Sequence, residues 1–145
     1  MKLSATYAFK GPQEKVFAAL LDPAVLQKCI DGCEKMEKTG EDSYDVHLKI
    51  GVAGIKGSYV GKIRIEEKKP PESFTLAAEG KGSPGWVKGA AKIQISPKEA
   101  GSELRCEADG QVGGVIAAVG SRLVDAAAKK MLNEFFRKLG EQIGG

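Results

Sequence analysis

A chain of 145 residues is long enough to bury one continuous core and too short to divide into two, so residues 1–145 are expected to form one domain. Hydrophobic residues at 42% and charged residues at 28% are the proportions of a folding chain and exclude a disordered one. The formal net charge of +3 arises from 22 Lys and Arg against 19 Asp and Glu spread along the whole length, which leaves no basic tract for nucleic acid.

Apolar stretches such as Val115 to Val119 are far below the roughly 18 residues that span a bilayer. No apolar signal segment opens the chain, and the expected location is the cytoplasm. Three cysteines, an odd number in a chain without an export signal, do not make a disulfide framework. Cys29 and Cys33 are spaced C-x3-C, which could set two thiolates on one helical face. The only histidine is His47, however, and Cys106 lies far along the chain. A pair of partly buried structural thiols is the better reading than a metal site, and no metal-bound or covalent cofactor is expected.

In chain order, Leu3 to Phe9 has its larger apolar residues on odd positions, as a strand with one buried face requires. It ends at Gly11-Pro12. Pro12 suits the first turn of a helix, where its missing N–H costs nothing, and Val16, Phe17, Leu20 and Leu21 then share one side. Asp22 before Pro23 repeats the cap-then-proline signal, and Val25, Leu26, Cys29 and Ile30 continue the apolar side until Asp31-Gly32 breaks it. From about residue 34 the period changes to two. Turn signals recur at Gly40 to Ser43, Ala53-Gly54, Lys68 to Glu72, Gly82 to Gly85 and Ser96 to Ser102, which predicts an antiparallel meander. One long helix is predicted from about Gly114 to Leu139, stopped by Gly140. The expected fold class is therefore α+β: a curved antiparallel sheet wrapped around a long C-terminal helix, with two short helices after the first strand.

Alternation assigns an inward face to each strand: Leu3, Ala5, Tyr7 and Phe9; Tyr44, Val46, Leu48 and Ile50; Tyr59, Gly61, Ile63 and Ile65. Phe74, Leu76 and Ala78 follow, then Val87, Gly89, Ala91, Ile93 and Ile95, and finally Leu104, Cys106, Ala108 and Gly110. None is charged. The opposite positions carry the charges, His47 among them, and read as a solvated sheet surface. Acid–base chemistry needs titratable groups facing a shared cavity, and this interior offers none, so the chain is expected not to be an enzyme. Tyr44 and Tyr59 are the candidate hydrogen-bond donors to a ligand carbonyl.

Many inward positions are small, and the predicted helix repeats the theme. At about 100° per residue, one face collects Ala117, Gly120, Ser121, Val124, Ala127 and Ala128 before reaching Met131, Leu132, Phe135 and Leu139. The bulky second half is expected to plug one end of the sheet and the thin first half to roof a cavity. Leu26 and Ile30 of the short helices and Trp86 complete its expected lining. Left empty, a pocket of roughly 300 Å3 at about 24 cal/mol per Å3 would cost about 7 kcal/mol, which favours a guest. The competing reading is that Trp86, Phe74 and the tyrosines fill the space themselves.

Val112, Val115, Ile116, Val119 and Leu123 fall on the side of the predicted helix opposite the inward face. A helix packed on one side needs no second apolar stripe, so this one is expected to meet a neighbouring loop, a partner or a membrane. Gly113-Gly114 and the G-V-A-G-I-K-G segment from Gly51 to Gly57 would give a pocket mouth flexible edges.

Two groups of residues carry a family resemblance. Asp22-Pro23-Ala24-Val25-Leu26 followed by Cys29-Ile30-Asp31-Gly32-Cys33-Glu34 resembles the D-P-x-x-L-x-x-C-I-x-G-C-E segment of the CoxG proteins, the G subunits of carbon monoxide dehydrogenase. Gly120-Ser121-Arg122-Leu123, Ala128-x-Lys130 and Phe135-Phe136 are similar to the last helix of the same family. The resemblance implies the helix-grip fold of the START-like, or SRPBCC, superfamily (Bet v 1-like), with a deep hydrophobic pocket between sheet and helix. It further implies an accessory role beside molybdenum-containing hydroxylases, with membrane recruitment and carriage of a quinone-type electron acceptor, and no catalytic residues. Because the chain ends at Gly145 without the extended tail of many members, transient peripheral docking at the inner membrane face is expected. Three readings stand: a carrier for a lipid or quinone, a polyketide cyclase or aromatase-like enzyme, and a purely structural assembly factor.

Overall fold

Period-two patterning produces seven strands, β1 (Lys2–Phe9), β2 (Cys33–Gly40), β3 (Ser43–Ile50), β4 (Gly57–Lys69), β5 (Ser73–Gly82), β6 (Gly85–Lys98) and β7 (Gly101–Gly113). The computed structural model describes residues 1–144. Two short helices, α1 (Gln13–Leu20) and α2 (Pro23–Cys29), follow β1, and α3 (Val115–Ala118) and α4 (Ser121–Gln142) follow β7. The strands form a single antiparallel sheet in the order β1-β7-β6-β5-β4-β3-β2. After β1 the chain crosses to the far edge through α1 and α2 and then meanders back, until β7 pairs with β1 from Lys2↔Asp109 to Phe9↔Ser102. The sheet curves around the C-terminal helices without closing.

Local chemistry explains the corner made by α1 and α2. Pro12 is the N-cap of α1, with extended backbone, so it stands one position before the helix and not in its first turn. Asp22 caps α2 by accepting a hydrogen bond from the Ala24 N–H at 2.9 Å, and Pro23 opens the helix, where its missing donor is harmless. At Gly32, φ is +82°, and a Cβ there would stand 2.1 Å from the Lys49 carbonyl oxygen. Only glycine lets the chain leave α2 and pass this close to β3.

Packing follows the alternation. Phe9, Val16, Phe17, Leu20, Phe74, Ile93, Ile95, Leu104, Cys106, Phe136 and Leu139 belong to the main hydrophobic cluster, which joins α1, the sheet and the second half of α4. Tyr7 stacks on Phe136 with ring centroids 4.4 Å apart and donates its hydroxyl hydrogen bond to Asn133 Oδ1 at 2.6 Å. A smaller cluster of Tyr59, Ile116 and Val124, flanked by Leu48, Ile50, Ile55, Val87 and Val112, lies where α3 and the start of α4 meet the sheet.

The single C-terminal helix predicted from Gly114 to Leu139 is two helices. The break falls at Val119-Gly120, where Gly120 adopts φ +100° and ψ 146°, a conformation that a residue with a Cβ resists. Tertiary contacts hold the short α3 across this break, because the Ile116 N–H donates to the Pro84 carbonyl at 2.8 Å. Gly114, at φ +79°, lies against the Cα of Gly85. Gly140 does not stop α4 either, since the helix runs on to Gln142.

Candidate ligand cavity

Between the sheet and α4 lies a cavity of about 390 Å3. Residues from β3 to β7, α2 and α4 surround it, and it sits between the two hydrophobic clusters, borrowing wall residues from each. Of the residues expected to line a pocket, the structure gathers Leu26, Ile30, Val46, Leu48, Ile50, Tyr59, Gly61, Ile63, Phe74, Leu76, Ala78, Ala91, Ile93, Cys106 and Ala128 around this space. Gly61, Ala78, Ala91 and Ala128 supply the room, since side chains this short leave the space beside their backbone unfilled.

Eight of the expected lining residues stand elsewhere. Trp86 is on the outer face of the sheet and 42% exposed. Val87, its neighbour on β6, points inward, so alternation sends Trp86 outward. Its ring lies over the bare backbone of Gly113, where a Cβ would come within 2.3 Å of the indole. Leu104 is buried in the main cluster beyond the cavity, and Tyr44 is buried beside a separate groove with Thr39, Ser43 and Arg64. Ala108, on the strand beyond Ala91, is outside the lining. Ala117, Ser121 and Val124 border a separate groove along the end of β7 with Met1, Trp86 and Asp125. Gly120 is used by the helix break. Because α3 is turned away at that break, the middle of α4 roofs the cavity through Ala128, Met131, Leu132, Phe135 and Phe136, and the first turns do not.

The expected lining also lacked Met1, Leu20 and Ile55, the last of which comes from the glycine-rich loop. The signal for Ile55 was a lone large apolar side chain among glycines, which solvent alone does not explain. The Tyr59 hydroxyl donates to the Ile55 carbonyl, so one of the two candidate donors is already engaged within the chain. Burial raises the Tyr59 phenol above its ordinary pKa. Cys106 lines the cavity with no exposed surface. Burial first, and then the neighbouring Glu107 carboxylate, push its thiol up to about 11, so it stays protonated and works as a small apolar wall group. Burial likewise raises Cys29 and Cys33. Among the described residues no three His, Cys, Asp or Glu side chains converge on a point where a metal ion could sit.

Asp31, Lys62 and Glu79 are the charged residues that border the cavity. The neighbours of the last two, Gly61, Ile63, Ala78 and Gly80, take the inward positions, so the Lys62 and Glu79 side chains point to the outer face of the sheet. Asp31 is engaged with Lys138 across the gap between α2 and α4, 3.4 Å apart. The remaining wall is aliphatic or aromatic apart from the Tyr59 hydroxyl and the sulfur groups of Cys106, Met1 and Met131, so the space suits a hydrocarbon body and offers few partners to water.

The apolar stripe expected on the C-terminal helix divides in two. Ile116 is 1% exposed and packs beneath the β5–β6 turn with Tyr59 and Val124, and Val112 is half-buried against the same cluster. Val112 is not helical at all but lies on β7, paired with Val87 of β6, and the seating of α3 against the Pro84 carbonyl turns Ile116 inward. Val115, Val119 and Leu123 remain exposed, Val115 at 65%, and Trp86 belongs to the same end of the molecule. Three segments meet there: 49–58, 81–88 and 111–124. They hold Lys49, Lys56, Lys81, Lys88 and Arg122, and not one Asp or Glu. Contacts tie them together, with Leu123 against Gly54 and Pro84 against Gly57. No helix is long and apolar enough to cross a membrane among the described residues.

A curved antiparallel sheet wrapped over a C-terminal helix, with two short helices after the first strand and an apolar cavity beneath, defines a helix-grip protein of the SRPBCC type. Residues 7–144 match the family model of CoxG, described as the G subunit of carbon monoxide dehydrogenase, and the chain belongs to that family. A conserved protein from Geobacillus kaustophilus is 35% identical and superposes with a TM-score of 0.96 over 99% of this chain and 95% of that one. Protein CV1439 from Chromobacterium violaceum is 16% identical, with a TM-score of 0.75 over 99% of this chain and 98% of its own. TTHA0849 from Thermus thermophilus is 12% identical, with a TM-score of 0.72 over 99% and 97%. The last two show the fold alone. No curated protein matches the chain.

Proposed function

We propose that this chain is a non-catalytic carrier of a hydrophobic small molecule of lipid or quinone type, accessory to a molybdenum hydroxylase such as carbon monoxide dehydrogenase. The observation that carries this reading is the cavity of about 390 Å3 with its almost wholly apolar wall. Water gains little there, because it needs two to four polar partners. A hydrocarbon guest gains about 2.5 kcal/mol for each ~100 Å2 of apolar surface it removes from water. Family membership supports the accessory role, and a carrier is favoured over an enzyme because the Lys62 and Glu79 side chains point away from the cavity and Asp31 is paired with Lys138.

The same reading gives the basic segments at this end a role in transient docking on an anionic membrane. Lys49, Lys56, Lys81, Lys88 and Arg122 would lie near lipid phosphates while Val115, Val119, Leu123 and Trp86 enter the interface. Leu123 touches the loop that carries Ile55, and Ile55 is a cavity wall. Docking would therefore take place beside the cavity, where a guest can be exchanged.

Organic extraction and mass spectrometry of the protein purified from its native host test the carrier role. The expected result is one isoprenoid or acyl compound near one molecule per chain. Absence of any such compound, together with no saturable binding of a short-chain ubiquinone or of N-phenyl-1-naphthylamine, overturns it.

A further inference from the structure

The outer face of the sheet has no part in the cavity or the docking end's lipid contacts beyond Trp86 and its lysines, yet its centre is patterned. Asp45, Lys62, Glu79 and Lys88 stand directly opposite one another across β3, β4, β5 and β6. Their charges alternate along this row. Among the described residues none of the four forms an ion pair within the chain, although the surface holds six such pairs elsewhere. The adjacent row across the same strands is His47, Val60, Lys81 and Trp86. Val60 at 54% and Trp86 at 42% are among the most exposed large apolar residues of the chain. Both rows line one depression of about 580 Å3.

A row that reads minus, plus, minus, plus becomes its own electrostatic complement when reversed. A two-fold axis lying along the strands, between β4 and β5, performs that reversal. It lays Asp45 over Lys88 of the second copy and Lys62 over Glu79 of the second copy, each contact occurring twice. On the next row it sets His47 over Trp86 and Val60 over the aliphatic stem of Lys81. Such an isologous contact needs one patch that matches itself, and this one does in both charge and apolar content. The mixed signs disfavour a polyanion on the same patch, because Asp45 and Glu79 would repel it.

We infer that the outer sheet face forms a weak symmetric dimer, sheet against sheet, registered by the Asp45–Lys62–Glu79–Lys88 row. Four strands about 4.8 Å apart and about 20 Å of strand length give a footprint on the order of 400 Å2 per copy, about half that of a stable specific interface and of the size of weak, transient contacts. The dimer is therefore concentration-dependent and weakens as salt screens the row.

Sedimentation velocity across a micromolar to millimolar series tests this directly. The expected result is a monomer–dimer equilibrium, with the emission of Trp86, the only tryptophan, moving to the blue as the dimer forms. Lys62→Glu and Glu79→Lys each place like charges opposite each other in a homodimer, and each should weaken association at least about tenfold. Mixed one to one, the two variants restore both opposite-charge contacts and should recover the wild-type dimer. Both side chains lie on the outer face, and melting temperature and circular dichroism check that each variant folds. A chain that stays monomeric at millimolar concentration, a dimer indifferent to either reversal, or a mixture that does not associate would each overturn the inference. None of these outcomes depends on what the cavity holds.

Discussion

The hydroxyl of Tyr59 on β4 donates to the backbone carbonyl of Ile55, four residues earlier, and both side chains are cavity wall. A single hydrogen bond thus ties the glycine-rich loop between β3 and β4 to the sheet beneath it. Removing it in Tyr59→Phe leaves a half-buried carbonyl without its donor and should cost about 1 kcal/mol. The cost should be local. Amide exchange in residues 51–57 is expected to speed up while exchange in β5 to β7 stays unchanged, as hydrogen–deuterium exchange mass spectrometry would show.

Filling the cavity separates binding from folding. Ala78 and Ala91 border the free space, so Ala78→Phe or Ala91→Phe puts a ring where a guest would lie. Either variant should bind N-phenyl-1-naphthylamine at least about tenfold more weakly, at a melting temperature equal to or above that of the wild type, because a filled void stabilises. Unaltered probe binding would place the probe, and the proposed guest, outside this cavity.

Exposure distinguishes neighbouring residues of the docking end. Val115 is 65% exposed and Ile116 is 1% exposed. Ile116→Asp buries an unpaired carboxylate among Tyr59 and Val124 and should destabilise the fold by more than about 3 kcal/mol, visible in a denaturant titration. Val115→Asp with Val119→Asp should leave the melting temperature within a degree or two while lowering co-sedimentation with anionic liposomes several-fold. Equal liposome binding by the double variant and the wild type would remove the membrane from the proposed function.

The buried thiol of Cys106 has a consequence at high pH. Its pKa is pushed from the ordinary thiol range up to about 11 by burial and then by Glu107. Since the folded state holds this proton more tightly than the unfolded chain, the stabilisation is complete below the unfolded pKa and is lost as pH rises through the folded value. Between about pH 9 and pH 11 the wild type should lose on the order of 2 kcal/mol more than Cys106→Ala does. Denaturant titrations of both proteins at the two ends of that window read the difference. Parallel curves would mean that the thiol ionises in the folded state without cost.

Much of the fold was legible because β-strands bury every second residue, and this chain alternates cleanly. Val87, Gly89, Ala91, Ile93 and Ile95 could be placed inward from their spacing alone, and they are the inward residues of β6. The same rule, followed strictly, would have kept Trp86 out of the cavity, since it stands next to Val87. Helical periodicity misled where a local break intervened. The apolar face drawn through Ala117, Gly120, Ser121 and Val124 assumed one continuous axis, and Gly120 ends that axis.

What the sequence determined by itself is therefore the sidedness of each strand, the corner made by Pro12, Asp22 and Gly32, and the wealth of small inward residues that leaves room inside. Those properties depend on near neighbours in the chain, through backbone sterics and the two-residue repeat of the pleat. The location of the cavity under the middle of α4, the burial of Ile116 beside an exposed Val115, and the seating of Ile55 as a wall were decided only in three dimensions. Each turns on contacts between segments far apart in sequence, such as Ile116 with Pro84 and Tyr59 with Val124, and no local pattern of residues encodes them.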